Sequence, residues 1–250
     1  MITGNDTISY YSRSNIFIWT LMAFQAGILN IAGYLACHRF VSHITGFATL
    51  FGNEIASNNW DQAIRFLTVP IFFLLGVILS GFLIDIRIIL KERPKYYLVF
   101  GLIFILILTL CMLGIFGFWG HFGEPLSQTR DYYLLALLCL ICGIQNGAIT
   151  SVSKYVIRTT HLTGLTTDLG IGLARILNIK KIDQSAKNEF KPTIMRIAII
   201  SFFTFGSIIG AVIFTKWHFW GFILPTINSG FLFLLMLYYQ FLKKDKIESK

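Results

Sequence analysis

The chain has 250 residues, of which 55% are hydrophobic and only 13% charged, and its mean hydropathy is +0.69. A soluble domain of this length cannot withdraw so much apolar surface from water into one core, whereas bilayer hydrocarbon accepts it. The formal charge of +9 has the sign a nucleic-acid partner would need, but the placement of the charges, followed below, speaks for membrane topology instead.

The first residues, MITGNDTISYYSRSN, are polar and carry no targeting pattern. The apolar run Ile16–Cys37 is too long for a cleavable signal core and holds Gln25 and Asn30, so it reads as a retained first span. Five further runs are long enough to cross at about 1.5 Å per residue: 66–86, 96–118, 132–153, 194–215 and 219–242. The third span is almost purely apolar, while the fourth carries Gln145 and Asn146. In the last span, Pro225, Asn228 and Ser229 suggest a local break or contacts between helices. Asp85 and Arg87 read as an interfacial pair at the end of the second span. The four cysteines, Cys37, Cys111, Cys139 and Cys142, all sit in apolar runs. The CxxC of Cys139 and Cys142 therefore reads as two small apolar side chains on one helix face.

With six crossings, the cations fall unevenly on the two sides. One side collects Arg13, Arg87 to Lys95, the connection from Lys154 to Arg196, and the tail from Lys243, seventeen in all. The other has only the four residues Arg39, Arg65, Arg130 and Lys216. The positive-inside rule places both termini in the cytoplasm, and the net charge becomes a matter of topology and anionic headgroups, with no nucleic acid required.

A short polar phrase occurs twice, as SHITGFATLFGNEIA at 42–56 and THLTGLTTDLGIGLA at 160–174. Each copy follows a polar-bearing span, after GILN at Gly27–Asn30 and GIQN at Gly143–Asn146. Each precedes a span opening with FFxxG, at Phe72, Phe73 and Gly76, and at Phe202, Phe203 and Gly206. Three spans followed by three related spans must insert with opposite orientation, which is the layout of many secondary transporters. Fifteen helical residues reach about 22 Å, short of a core of about 30 Å, so each phrase is expected to form a re-entrant or interfacial half-helix. Phe47, Leu50, Phe51 and Ile55 in one copy, and Leu165, Leu169, Leu173 and Ile176 in the other, recur at helical spacing.

His43 and His161 stand just before these short helices, where Gly46 and Gly164 permit a sharp turn or a close approach. Two readings stand side by side. The imidazoles bind a ligand or handle a proton, since they titrate near neutrality, or they hold each phrase in place. Thr160 or Thr163 suits a helix cap. Asp168 has no counterpart in the first copy, where Leu50 stands, and serves either to carry a coupling proton or to pair with Arg158 or Arg175. Glu54 reads equally as a solvated loop charge. Gln25, Asn30, Gln145 and Asn146 either read a polar solute or join helix to helix. His38 and His43 make only a weak metal pattern, and no catalytic, phosphate-binding or zinc motif is present.

GIQN, RTTHLTG and TTDLG in the second half, with SHITG and FFLLG in the first, resemble the YoaK-like family of bacterial inner-membrane proteins, domain of unknown function 1275. The resemblance runs from about Gln25 into the last span and is most specific over Arg158–Gly164 with Asp168. The family's usual Thr-Gly-Asn stands here as Thr45, Gly46 and Phe47. That departure removes an amide, and with it any contact the amide makes to a ligand in relatives. The resemblance implies a multi-pass bacterial inner-membrane protein and supplies no catalytic residues.

The expectation is thus an all-α membrane protein forming one domain over 1–250, with six transmembrane helices as two inverted three-helix repeats, about 16–118 and 132–242. Its expected role is that of a small-molecule secondary transporter or exporter, with the proton as a candidate coupling ion. The expected site lies between the repeats and draws on Gln25, Asn30, His43, Thr45, Gly46, Gln145, Asn146, His161, Thr163, Gly164 and Asp168. A membrane scaffold and an enzyme acting on a lipid-linked substrate are the other classes, and the sequence favours no enzyme. No cofactor, metal or nucleic acid is expected. The partners are the lipid bilayer and a small-molecule ligand, and the sequence is compatible with a homodimer.

Overall fold

The computed structural model describes residues 13–152, 162–178 and 189–242. Among these, every regular element is helical. In order they are α1 (Arg13–Cys37), α2 (Ile44–Ala56), α3 (Trp60–Phe66), α4 (Thr68–Ser80), a π-turn (Gly81–Asp85), α5 (Ile86–Ile89), α6 (Tyr96–Ile115), α7 (Thr129–Val152), α8 (Leu162–Leu177), α9 (Phe190–Trp217), a 3-10 segment (His218–Phe222), α10 (Ile223–Leu237) and a second π-turn (Tyr238–Leu242). Hydrocarbon offers backbone amides no water, so each apolar segment satisfies its own N–H and C=O groups by coiling.

Five helical stretches are long and apolar enough to span a bilayer: Asn15–Cys37, Trp60–Ile89, Tyr96–Ile115, Thr129–Ser151 and Phe190–Phe241. The last covers 52 residues and is interrupted where His218 takes φ 48. There the chain folds back, bringing the Phe222 ring to 4.8 Å from that of Phe214. The interruption falls between the two runs expected at 194–215 and 219–242. Within the last span itself no break occurs, and Asn228 takes up the contact between helices that was the other expectation. Pro225 lies in the first turn of α10, where its missing N–H has no helical partner to lose, and α10 continues through Asn228 and Ser229. The chain is built as a multi-pass membrane protein.

The helices pair through glycines. α1 packs on α9, α4 on α7, and α6 on α10. A side chain at Gly27 would strike the Phe203 carbonyl, and one at Gly206 the Phe24 carbonyl. The second pair repeats the pattern, with Gly143 against the Phe73 carbonyl and Gly76 against the Leu140 carbonyl. In the third pair a Cβ at Gly101 would lie 2.9 Å from the Phe233 ring, and one at Gly230 would lie 3.1 Å from the Phe104 ring. With no hydrophobic effect between helices in lipid, such backbone-to-backbone approach and its dispersion contacts are what hold a bundle together.

The contact registers also fix directions. Along α1 and α9, Phe24 meets Gly206 and Ile28 meets Gly210, so the two run parallel. Along α4 and α7, Phe73 meets Gly143 and Val77 meets Gly147, again parallel. α6 and α10 run oppositely: Gly101 meets Phe233, Phe104 meets Gly230, and the Tyr97 ring meets that of Phe241 at 5.2 Å. α2 follows the C-terminal end of α1. α8 packs on the N-terminal end of α9, with Gly172 against Thr193 and Arg196. The two short helices therefore sit at opposite ends of the α1–α9 pair.

Between α6 and α7, the loop is anchored by Trp119, whose Nε1 donates to the Leu110 carbonyl at 3.0 Å. His38 Nε2 lies 2.9 Å from the Gly123 carbonyl, tying this loop to the end of α1. Arg87 pairs with Glu92 at 3.0 Å and also donates to the Arg93 carbonyl, fixing the turn that follows α5.

Candidate functional site

In the middle of the bundle three amides meet. Gln25 sits at the centre of α1, Gln145 on α7 and Asn228 on α10, and all three are buried. Gln25 Nε2 donates to Gln145 Oε1 at 3.0 Å, and Asn228 Nδ2 donates to Gln25 Oε1 at 2.7 Å. Gln145 Nε2 donates to the Met22 carbonyl at 2.8 Å, and Asn228 Nδ2 also approaches the Leu21 carbonyl at 3.4 Å. Burial explains the closure of this network, because an amide left unpaired in an apolar medium costs several times what its bond contributes.

Two repeated asparagines behave differently. Asn30, from GILN, accepts a hydrogen bond from Ser42 Oγ at 3.0 Å, which ties the start of the first phrase to α1. Asn146, from GIQN, is 6% exposed, and its buried Oδ1 has no hydrogen-bond partner. It follows Gln145 directly in the chain.

The described residues of the doubled phrase do not join this centre. His43 precedes α2 without capping it through its side chain. The ring folds over Gly46, where any side chain would collide with it, and lies 3.5 Å from Thr45 Oγ1 and edge-on to Phe40 at 6.3 Å. His43 and Thr45 are exposed, and Phe47 is the buried contact of α2, with its ring 6.5 Å from that of Phe66. In α8, Thr163, Gly164 and Asp168 are exposed, and no described residue outside its own helix turn lies within 4 Å of where a Gly164 side chain would start. Thr163 is the second residue of α8, inside the helix, not its cap. The two phrases share one local bond: Thr49 Oγ1 donates to the Thr45 carbonyl at 3.3 Å, and Thr167 Oγ1 to the Thr163 carbonyl at 3.0 Å. His161 lies outside the described residues.

Arg175 corrects another expectation, since it donates to Glu189 at 3.1 Å and so does not pair with Asp168. Arg196 donates to the other oxygen of the same carboxylate at 2.7 Å. These two guanidinium groups hold the Glu189 carboxyl below its ordinary value, the bond from Arg196 contributing most. The cluster clamps α8 to the N-terminal end of α9, while Asp168 is exposed and Arg158, its other expected partner, lies outside the described residues.

Among the described residues no group of three His, Cys, Asp or Glu is arranged to hold a metal ion. Cys37, Cys111, Cys139 and Cys142 are buried free thiols. The sequence reading selected Gln25, Asn30, Gln145 and Asn146, and the structure joins only Gln25 to Gln145. It adds Asn228, whose signal was an amide in an otherwise apolar span.

Fold and centre together define a multi-pass helical membrane protein whose core is crossed by glycine contacts and holds a cluster of uncharged amides. The chain belongs to a family described as Protein of unknown function (DUF1275), whose model matches residues 18–236. No curated protein and no solved structure matches it significantly.

Proposed function

We propose that this chain is a small-molecule transporter of the secondary type, in which two inverted three-helix halves meet around the amide centre. The observation that carries the proposal is the composition of that centre. Gln25 comes from the first half, Gln145 and Asn228 from the second, and all are buried at mid-helix depth. Transporters made of inverted repeats bind at this depth, at the interface of the repeats.

Directions of packing support the inverted arrangement. Spans one and five run parallel, spans two and four likewise, and spans three and six oppose each other, as alternate crossings of six helices require. The reciprocal contact of Gly101 with Phe233 and Gly230 with Phe104 is what a two-fold axis in the membrane plane would generate. In this reading the bundle lies in the bacterial inner membrane with both termini cytoplasmic, as the cation bias favours. The halves contribute no catalytic step.

A scaffold is the second reading, favoured by the fact that Gln25, Gln145 and Asn228 satisfy one another. A thermal-stability screen of the purified protein against a metabolite library separates the two. A transporter shows a shift with one chemical class that is lost in Asn146→Leu. A flat response across all classes leaves the scaffold.

A further inference from the structure

The centre of this bundle is polar without being charged. Residues 14–37, 66–84, 96–120, 132–152, 197–215 and 217–242 contain no Asp, Glu, Lys or Arg. His43 and Asp168 are exposed at the bundle ends. An ion brought to such a centre loses its hydration shell and meets no opposite charge, a penalty that stays large even after relaxation. Transporters of ions commonly offset it with broken helices, whose ends point partial charges at the site. Here α1, α7 and α10 run unbroken through Gln25, Gln145, Asn146 and Asn228. Among the described residues, neither device for holding a charge is present at the amides.

On α7, the residue after Gln145 is left with an unsatisfied group. Asn146 is a nine-tenths buried side chain with an acceptor, Oδ1, to which no described residue donates. Its counterpart in the first half, Asn30, has a donor in Ser42. A buried acceptor without a donor is costly in a native fold and calls for an explanation. A solute that supplies an O–H or N–H removes the cost.

We infer that Asn146 binds a neutral solute carrying hydroxyl or amide hydrogen-bond donors, and that its passage moves no net charge. The inference rests on the transporter reading and names its substrate class. Asn146 Oδ1 accepts from the solute, and the charge-free spans around it hold no counter-ion for a charged one. A protonatable or ionic solute is rejected at the centre by desolvation, not by size.

The test uses the full-length protein in proteoliposomes and in detergent. Probes come as matched sets: glycerol, erythritol and lactamide as neutral donors, with lactate and ethanolamine as charged analogues. Neutral probes are expected to raise the melting temperature and to swell proteoliposomes in stopped-flow light scattering. The swelling rate is expected to stay the same under a potassium diffusion potential of either sign. In Asn146→Leu the shift and the flux should fall at least tenfold, and in Asn53→Ala, exposed on α2, they should persist. Should Asn146→Leu fail to fold, Asn146→Thr serves, and the potential measurement needs no variant. Preferential stabilisation by lactate or ethanolamine, or a flux that follows the potential, overturns the neutral-solute inference and leaves the transporter reading standing. Equal responses of wild type and Asn146→Leu overturn the role of Asn146. No shift and no flux with any probe overturns both readings.

Discussion

Gln25 and Gln145 stand 120 residues apart and share a 3.0 Å hydrogen bond in the buried middle of the bundle. Neither can be removed alone without stranding a polar atom. Gln25→Leu and Gln145→Leu should each lower stability, and the double variant should lose less than the sum of the two. The coupling in a double-mutant cycle is expected near 0.6 kcal/mol and below about 1.7 kcal/mol, the range of intramembrane side-chain bonds. Reversible unfolding in mixed micelles reads it, and strict additivity would remove the bond from the account.

Gly27 has the Phe203 carbonyl where a side chain would go, and the obstacle is backbone that cannot rotate away. Gly27→Ala and Gly206→Ala should each cost about 1–3 kcal/mol by forcing α1 and α9 apart. Gly52→Ala is the matched control, since nothing lies within 4 Å of its missing Cβ. That change should leave stability unaltered or raise it by about 0.5–1 kcal/mol through reduced backbone entropy in the unfolded chain.

Glu189 holds α8 against α9 through Arg175 and Arg196. Its native pKa is lowered, so its stabilising contribution is fully present above the ordinary glutamate value of 4.5 and is lost as pH falls through the lower native value. Between pH 7 and pH 5 this group should leave stability unchanged. Glu189→Gln should loosen α8 at neutral pH, and hydrogen exchange within Leu162–Leu177 should rise while that of α1 stays slow. Slow exchange throughout α8 in the variant would reassign its docking to Leu165 and Gly172 alone.

The cation bias makes a prediction about sidedness. In a background lacking the four native cysteines, Ser57→Cys should react with an impermeant maleimide on intact cells. Lys91→Cys should react only after permeabilisation. The opposite pattern would invert the topology, and equal labelling at both positions would break the six-span reading.

Much of this protein can be read locally. Membrane residence follows from composition and run length, because the hydrocarbon thickness fixes how many apolar residues a crossing needs. The short helices α2 and α8 follow from 3.6-residue periodicity. GILN with GIQN and the two FFxxG openings are visible as repeats. The sequence shows that they are doubled, but not which of their glycines another helix approaches.

The partner of each glycine was decided only by tertiary structure. Gly27 of the first half meets Phe203 of the second, and Gly143 of the second meets Phe73 of the first. Asn228 reaches Gln25 from a span where the sequence left a break and a contact between helices equally open. His43 covers Gly46 at a bundle end, and Asp168 stays at the surface while Arg175 turns to Glu189. Hydropathy and periodicity belong to a segment and its solvent, so the sequence carries them entire. Which surfaces meet depends on all the helices at once, and in lipid it is set by shape and by the need of buried amides for one another.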